Sequence, residues 1–563
     1  MRSFSRLSAG LSAGAALVVL TAAPVHPQKQ PEVLALATGT AGSLTGLRQA
    51  DLLLNQLQDE GSLQLVERVD DPLIATHTHE RFQQYHGGVP VFAAQITRQR
   101  ANGLTTSLFG TVYLDLKVDT TPTLTTDEAA RIVETLAGLP PGTARHPRLV
   151  VLPDRQNVDT YRLVYEAHAF TGTSLVAYFI DALSGDLVWS FDNLKTQQPN
   201  LPCEHCAIGD GIGVAADAKK LSVMPVGGEF LALDQMRPAN IYTFDMRGDT
   251  DRALSMLAGI VPIFDTDLAI DDDNQWTDAA TVDAHVGMGW TYDYLYNQFG
   301  RESLDGRNVR LMALVHPIDR ADLFTAPAEL VNLFHLNAFY CGHCGPDRVG
   351  IVVFGEGTPP NTAVDGQQFK YFSGALDVVA HELAHGLTDF TSGLLLVEDS
   401  GALNEAFSDI IAIGTEFYSE PFYQGTAGTA DYLIGEDITS TGGMRSLANP
   451  QQFGHPDHYS LKIQGTLDNG GVHANSLIAS HAFYLAIEGG TNRVSGLQVQ
   501  GVGSRNREII EKVFYRAFTM LLTRDADFST ARAATIQSAL DLYGAGSQAE
   551  QAVIQAWTAV GVN

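Results

Sequence analysis

The sequence predicts an α+β chain in three stretches: a strand-rich first part, a mixed α/β lobe and a mainly helical last lobe. Three observations predict it. Up to about residue 193, apolar residues alternate in short runs broken by glycine turns, as at 80–91 around Gly87-Gly88 and at 178–188 around Ser184-Gly185-Asp186. A polar, breaker-rich segment follows at about 193–202. From about residue 374 to the end the apolar spacing turns helical.

In order along the chain, Arg2 and Arg6 precede an apolar, small-residue run at 11–23, with a small-residue cleavage site near Ala22-Ala23. Residues 1–23 therefore read as an export signal and the protein as secreted. The run is short for a membrane span of about 20 residues, and no later segment is long and apolar enough for one. Residues 24–118 open with a Pro-, Ala- and Gly-rich lead-in, then a helical pattern at 47–57, then alternating strands. Residues 119–193 begin with an amphipathic helix at 126–136 and continue as strands, and 194–202 is the linker where processing is expected. The mixed lobe is expected at 203–373 and the helical lobe at 374–563.

A chain of 563 residues is too long for one compact domain, and its 45% apolar and 18% charged residues supply material for a large core. With 64 Asp+Glu against 35 Lys+Arg, the formal net charge of -29 disfavours nucleic acid and anionic membranes as partners and favours divalent cations.

The chemistry concentrates at His381-Glu382-Leu383-Ala384-His385. Residues four apart share a helix face, so both histidines can reach one metal ion while Glu382 projects beside its open position. A third ligand is required if one position is to stay free for water. Glu405, in Gly401-Ala402-Leu403-Asn404-Glu405-Ala406-Phe407-Ser408-Asp409, follows His385 by twenty residues, room for a helix to end and a second to pack back antiparallel. Asp409, one turn beyond Glu405, can accept a hydrogen bond from a ligand imidazole.

Together with Asn337-Ala338-Phe339-Tyr340, Asp468-Asn469-Gly470-Gly471-Val472-His473, and the runs Phe514-Tyr515-Arg516-Ala517 and Asp541-Leu542-Tyr543-Gly544, these blocks resemble the thermolysin-type family of neutral zinc metallopeptidases from about residue 205 to Asn563. Residues 80–91 resemble the fungalysin/thermolysin-type propeptide motif, and 178–188 look like the PepSY domain that follows it in related precursors. The resemblance implies a zymogen whose two-part propeptide acts as intramolecular chaperone and inhibitor, and a metalloendopeptidase with one catalytic zinc on His381, His385 and Glu405. Its protein or peptide substrates would be cut by water that Glu382 deprotonates. His473 would hydrogen-bond the oxyanion, Asp468 would orient that histidine, and Asn337, Ala338 and Arg445 would bind substrate main chain. Phe369, Phe372, Val378, Ile434 and Met444 fall at positions lining the family's pocket for the residue after the cut. All five are apolar, which implies cleavage on the amino side of bulky hydrophobic residues.

The resemblance also implies structural calcium on Asp377, Glu416, Asp431 and Glu436, a single ion there because Leu433 stands where two-calcium relatives carry an acid. Asp271, Asp273 and Gln275 resemble a second calcium site. One departure is Leu396, nine residues before Glu405, where the family carries a tyrosine that donates to the oxyanion. Another is the two pairs Cys203/Cys206 and Cys341/Cys344. Two local disulfides, cross-pairing and a four-thiolate zinc site are all compatible with the spacing; the expectation taken here is that the pairs meet and tie the mature N-terminus to the cleft edge. The competing functional class is a zinc-bearing peptide binder, which only Leu396 favours; a zinc aminopeptidase would need a site for a free amine.

Overall fold

The computed structural model describes residues 33–39, 44–114, 116–143, 147–153, 161–171, 175–192, 206–344, 350–420 and 429–563. Residues 1–23, expected as an export signal, residues 194–202, expected as the processing linker, and Cys203 lie outside them.

The first part is built on a nine-stranded sheet. Its long hairpin pairs His77–His86 with Val89–Ala101 and turns at Gly87 and Gly88, whose φ values of 55° and 81° are readily adopted only by glycine. The pairing of Val91 with Val151 runs this hairpin on into the strands Arg148–Pro153, Tyr161–Phe170, Leu175–Asp181 and Leu187–Asp192, so both halves of the first part share one sheet. Two helices pack on it. Leu44–Asp59 buries Leu47, Leu54 and Leu57. Thr126–Ala137 starts at a capping box between Thr125 and Glu128 and stops at the left-handed Gly138; such a cap is worth about 1 kcal/mol.

The mixed lobe has two five-stranded sheets. In the second, Ile241–Asp245, Leu311–Val315 and Ile351–Phe354 run parallel, and the antiparallel strand Ala338–Cys341 forms the edge. The helix Ala279–Phe299 between these strands is apolar nearly all round because it is covered on both sides. A Cβ on its Gly287 would sit 3.0 Å from Val379, so this glycine lets it lie directly on the helix Leu376–Asp389.

That helix opens the helical lobe, followed by Glu398–Ser419, Asp468–Glu488, Arg507–Arg516, Phe528–Tyr543 and Gln548–Ala559 around a core that includes Phe407, Phe514, Phe518 and Trp557. The architecture is the mixed lobe plus mainly helical lobe that the sequence predicts. Among the described residues, no helix is long and apolar enough to cross a membrane.

The first part docks on both lobes. On the helical lobe, Arg516 is fully buried, donating Nε to Asp71 and Nη1 to Asp541 (2.9 Å each) and Nη2 to Gln99, while Gln99 donates to Asp541 (2.9 Å). Leu395 joins an apolar cluster with Phe92 and Phe179, and Val397 packs against it. On the mixed lobe, the ring of His168 meets that of His343 (centroids 5.4 Å apart), and Phe170 packs on the cluster containing Cys341 and Cys344.

The cysteines correct an expectation. Cys341 and Cys344 are bonded to each other, their Cα atoms 5.4 Å apart as the short loop allows, and Cys206 is disulfide-bonded as well. The two pairs therefore do not cross-link, the mature N-terminus is not tied to the cleft edge through Cys341 or Cys344, and neither sulfur is a free thiolate for zinc.

Candidate active site

His381 and His385 stand one turn apart on Leu376–Asp389, their rings nearly perpendicular and 4.9 Å between centroids. The chain then reverses and re-enters helix at Glu398, which returns Glu405 to face them. Glu405 Oε2 lies 3.3 Å from His381 Nε2, and Oε1 lies 3.6 Å from His385 Nε2. Ligands about 2.0–2.1 Å from a tetrahedral zinc lie about 3.3–3.4 Å apart, so the spacing fits that ion. Glu405 Oε2 is buried with no hydrogen-bond partner, a second sign that a cation belongs there.

The far side of each imidazole is held as a ligand requires. His381 Nδ1 donates to Asp409 Oδ1 (3.0 Å), which also accepts from Arg445 Nη2 (2.8 Å). His385 Nδ1 donates to Asn404 Oδ1 (2.9 Å), with Ser408 Oγ at 3.2 Å, and Asn404 in turn donates to the Leu394 carbonyl (2.9 Å). Both Nε2 atoms are thereby left to face the metal position. Residues 405 and 409 both contact His381 and 404 and 408 both back His385, two i,i+4 pairs on one helix, with Glu405 facing His385 as well. The sequence reading found the first pair and missed the second, although the same spacing displays it.

Charge in this cluster is balanced internally. Burial acts to raise the Glu405 pKa, but His473, His385 and His381 outweigh it and hold the carboxyl well below its usual range. Burial also opposes ionisation of Asp409, which Arg445 and His381 overcome. Burial pushes the His381 pKa down, yet the hydrogen bond of Asp409 and the neighbouring Glu405 carboxylate raise it to about 10.

A cavity of about 380 Å³ opens over these groups. Glu382, 7% exposed, lines it beside the histidines. His473 enters from the helix Asp468–Glu488, its Nδ1 2.6 Å from Asp468 Oδ1 and its Nε2 3.6 Å from Glu405 Oε1. The field of Glu405, then the hydrogen bond of Asp468, raises its pKa above the usual histidine value. Asn337, Ala338 of the edge strand and Arg445 also line the cavity. Phe372, Val378, Ile434 and Met444 form an apolar wall. Phe369 does not line this cavity: it stacks on Phe372 (5.9 Å between centroids) and borders a neighbouring groove. Leu396 and Asn469, the latter unremarked in the sequence reading, also face the cavity.

A second cluster joins Glu416, Asp431 and Glu436, one carboxylate oxygen from each lying within 4.8 Å of the others. Asp377 adjoins it but already accepts the N–H groups of Val378 (2.6 Å) and Gly435 (2.5 Å). Glu416 Oε2 and Glu436 Oε2 are buried without partners. Burial and then Asp377 raise the Glu416 pKa well above normal and that of Glu436 to about 9, and burial raises Asp377 to about 7. Asp437, which the sequence reading left out, adds to the repulsion. The 271–275 loop differs: Asp271 Oδ1 accepts from the backbone of Asp273 and Gln275 (3.1 Å each), and Asp273 Oδ1 accepts from Gln275 (3.0 Å), so these groups close their own turn.

Comparison with known proteins matches residues 208–389 to the family described as thermolysin metallopeptidase, catalytic domain, 392–562 to thermolysin metallopeptidase, alpha-helical domain, and 62–112 to the fungalysin/thermolysin propeptide motif. Among curated relatives, the thermostable neutral protease NprT of Geobacillus stearothermophilus is 36% identical over 512 residues, covering 86% of this chain and 83% of its own. Thermolysin of Alicyclobacillus acidocaldarius subsp. acidocaldarius is 35% identical over 525 residues, covering 89% and 86%. Bacillolysin of Bacillus caldolyticus is 34% identical over 558 residues, covering 93% and 92%.

Proposed function

The chain belongs to the thermolysin family of metallopeptidases, and from that premise we propose which of its residues carry the reaction and which bonds it cuts. It is a zinc-dependent metalloendopeptidase with a zymogen organisation. The observation that carries the assignment of residues is the face-to-face set His381 Nε2, His385 Nε2 and Glu405, with Glu382 beside it in one cavity.

His381, His385 and Glu405 hold the zinc, which when bound supplies a Lewis acid that polarises the scissile carbonyl and acidifies water. Glu382 takes the proton from the attacking water and passes it to the leaving amine, so hydrolysis is balanced with no other proton source. His473, aimed by Asp468, donates to the oxygen that becomes negative. Asp409 and Asn404 keep the two ligand imidazoles in the tautomer that presents Nε2. Asn337 and Ala338 at the sheet edge bind substrate backbone, and Arg445 holds the carbonyl beyond the scissile bond. With Phe372, Val378, Ile434 and Met444 walling the pocket and Phe369 backing Phe372, cleavage falls on the amino side of bulky hydrophobic residues. Leu396 removes the second oxyanion donor that relatives carry, so Leu396→Tyr raises kcat by about tenfold.

The remaining assignments complete the precursor. Residues 1–23 direct export and 24–193 form the propeptide, its second half of PepSY type. Cleavage within 194–202 releases lobes 203–373 and 374–563. The propeptide assists folding and inhibits, which its contacts on both lobes support. One calcium binds Glu416, Asp431 and Glu436 with Asp377 adjoining, supported by their proximity and by the partnerless Oε2 atoms of Glu416 and Glu436; a second at Asp271, Asp273 and Gln275 rests on the resemblance alone.

Glu382→Gln in the full precursor tests the reading. The expected result is full zinc content, no processing and casein hydrolysis lowered by ~10²–10⁴. A wild-type chain that carries zinc and has no turnover would show a binder in place of an enzyme.

A further inference from the structure

The segment that delivers His473 is held against its own backbone preference. Asp468, Asn469, Gly470 and Gly471 have φ of 53°, 48°, 101° and 77° within what is otherwise the helix Asp468–Glu488. Four left-handed residues in a row persist only where their surroundings over-determine them, and two of these carry a Cβ.

Most of the restraint is local. Gly470 and Gly471 both donate to the Leu467 carbonyl (3.1 and 2.9 Å). Asn475, fully buried, donates to the carbonyls of Gly470 (3.0 Å) and Ile463 (3.1 Å). These bonds shape the loop but leave its position over the zinc ligands undetermined. Asn469 reaches further: its Nδ2 donates to the backbone carbonyl of Leu396, 3.0 Å away and 73 residues earlier. Leu396 lies just before the helix Glu398–Ser419 that carries Glu405 and Asp409. The two segments are in close contact there, since a Cβ on Gly470 would come 3.1 Å from Glu398 Cα.

We propose that Asn469 is a positioning residue for His473: its amide bond to the Leu396 carbonyl ties the Asp468–His473 loop to the helix bearing Glu405, and so sets where the histidine donor meets the oxyanion. The acceptor is a backbone atom, so the tie is independent of the side chain at 396. In this chain the 396 segment lacks the phenol of its relatives and contributes through its carbonyl. The inference rests on the reading of His473 as oxyanion donor and goes one residue beyond it.

Steady-state kinetics of mature Asn469→Gly and Asn469→Asp enzymes, with zinc content and thermal midpoint measured alongside, test it. Glycine keeps the backbone freedom that φ 48° requires and deletes the amide. Aspartate keeps the size and left-handed tolerance but turns an acceptor toward the carbonyl. Both are expected to lower kcat by about tenfold, with KM changed less than about twofold and zinc retained, because a misplaced catalytic group costs turnover more than ground-state binding. Affinity for a phosphonamidate mimic of the tetrahedral species falls by the same factor. In a His473→Ala background, Asn469→Gly adds less than about twofold, because it acts through the missing imidazole. Wild-type kcat in Asn469→Gly, or losses that multiply in the double variant, would overturn the proposal while leaving the reading of His473 intact. Undiminished activity in His473→Ala would overturn that reading and this one with it.

Discussion

The helices Leu376–Asp389 and Glu398–Ser419 build two buried carboxylate clusters whose electrostatics are opposite. At the zinc ligands, Glu405 and Asp409 are held ionised because three histidines and Arg445 face them. At the other end of the same helices, Glu416 and Asp377 meet Glu436, Asp431 and Asp437, and their pKa values rise. Residue type, burial and helix are shared; only the partners differ. In the first cluster protein cations face the carboxylates. The second lacks a counter-charge, so a cation there would add stability.

The largest effect expected on this contrast is that of Glu382→Gln, which lowers turnover by ~10²–10⁴ yet leaves the thermal midpoint unchanged, since Glu382 is not among the groups balancing Glu405 or Asp409. Next is Arg445→Met, which should give the first cluster the character of the second. Asp409 loses its buried cation, and denaturant unfolding should report a loss of about 3–5 kcal/mol. An unchanged midpoint would mean that the balance does not depend on Arg445. Third, chelating calcium at neutral pH should cost about 3–4 kcal/mol relative to a concentration 100–1,000 times Kd. Glu416→Gln should shrink that dependence. A stability indifferent to calcium would erase the contrast.

The smallest effect tests the same rule across a removable boundary. Asp71, His79, Arg516, Gln99 and Asp541 form a hydrogen-bonded cluster of which three members belong to the propeptide. Burial lowers the pKa of His79, helped by Arg516 and His77 and opposed by Asp71, and its Nδ1 is buried without a partner. A histidine whose pKa is depressed by folding contributes stability above its unfolded value near 6.5 that is lost as pH falls through the folded one. The precursor should therefore lose stability between pH 7.5 and 5, and His79→Gln should flatten that slope in thermal melts.

What was legible in the sequence was what repeats locally. The i,i+4 spacing of His381 and His385 and the return of Glu405 need only helix geometry, and the Gly87-Gly88 hairpin needs only alternation. Asn404 and Ser408 carried the same spacing and went unread because an asparagine and a serine do not advertise metal chemistry. Pairings distant in sequence were not legible: Val91 with Val151, Arg445 with Asp409, Asn469 with the Leu396 carbonyl. The cysteines misled for the opposite reason, since a short loop closes Cys341 on Cys344 before any distant partner can compete.

The docking points of the first part, at Arg516 and at Leu395 and Val397 on one lobe and at the Cys341–Cys344 loop on the other, make it a multivalent ligand of the lobes it covers. If the linker is cut as proposed, an intramolecular complex becomes a bimolecular one in which each foothold still keeps the others at high effective concentration. Peptide-bond cleavage and release of activity would then be separate events, with a lag that dilution alone shortens little and that a second cut between the footholds ends.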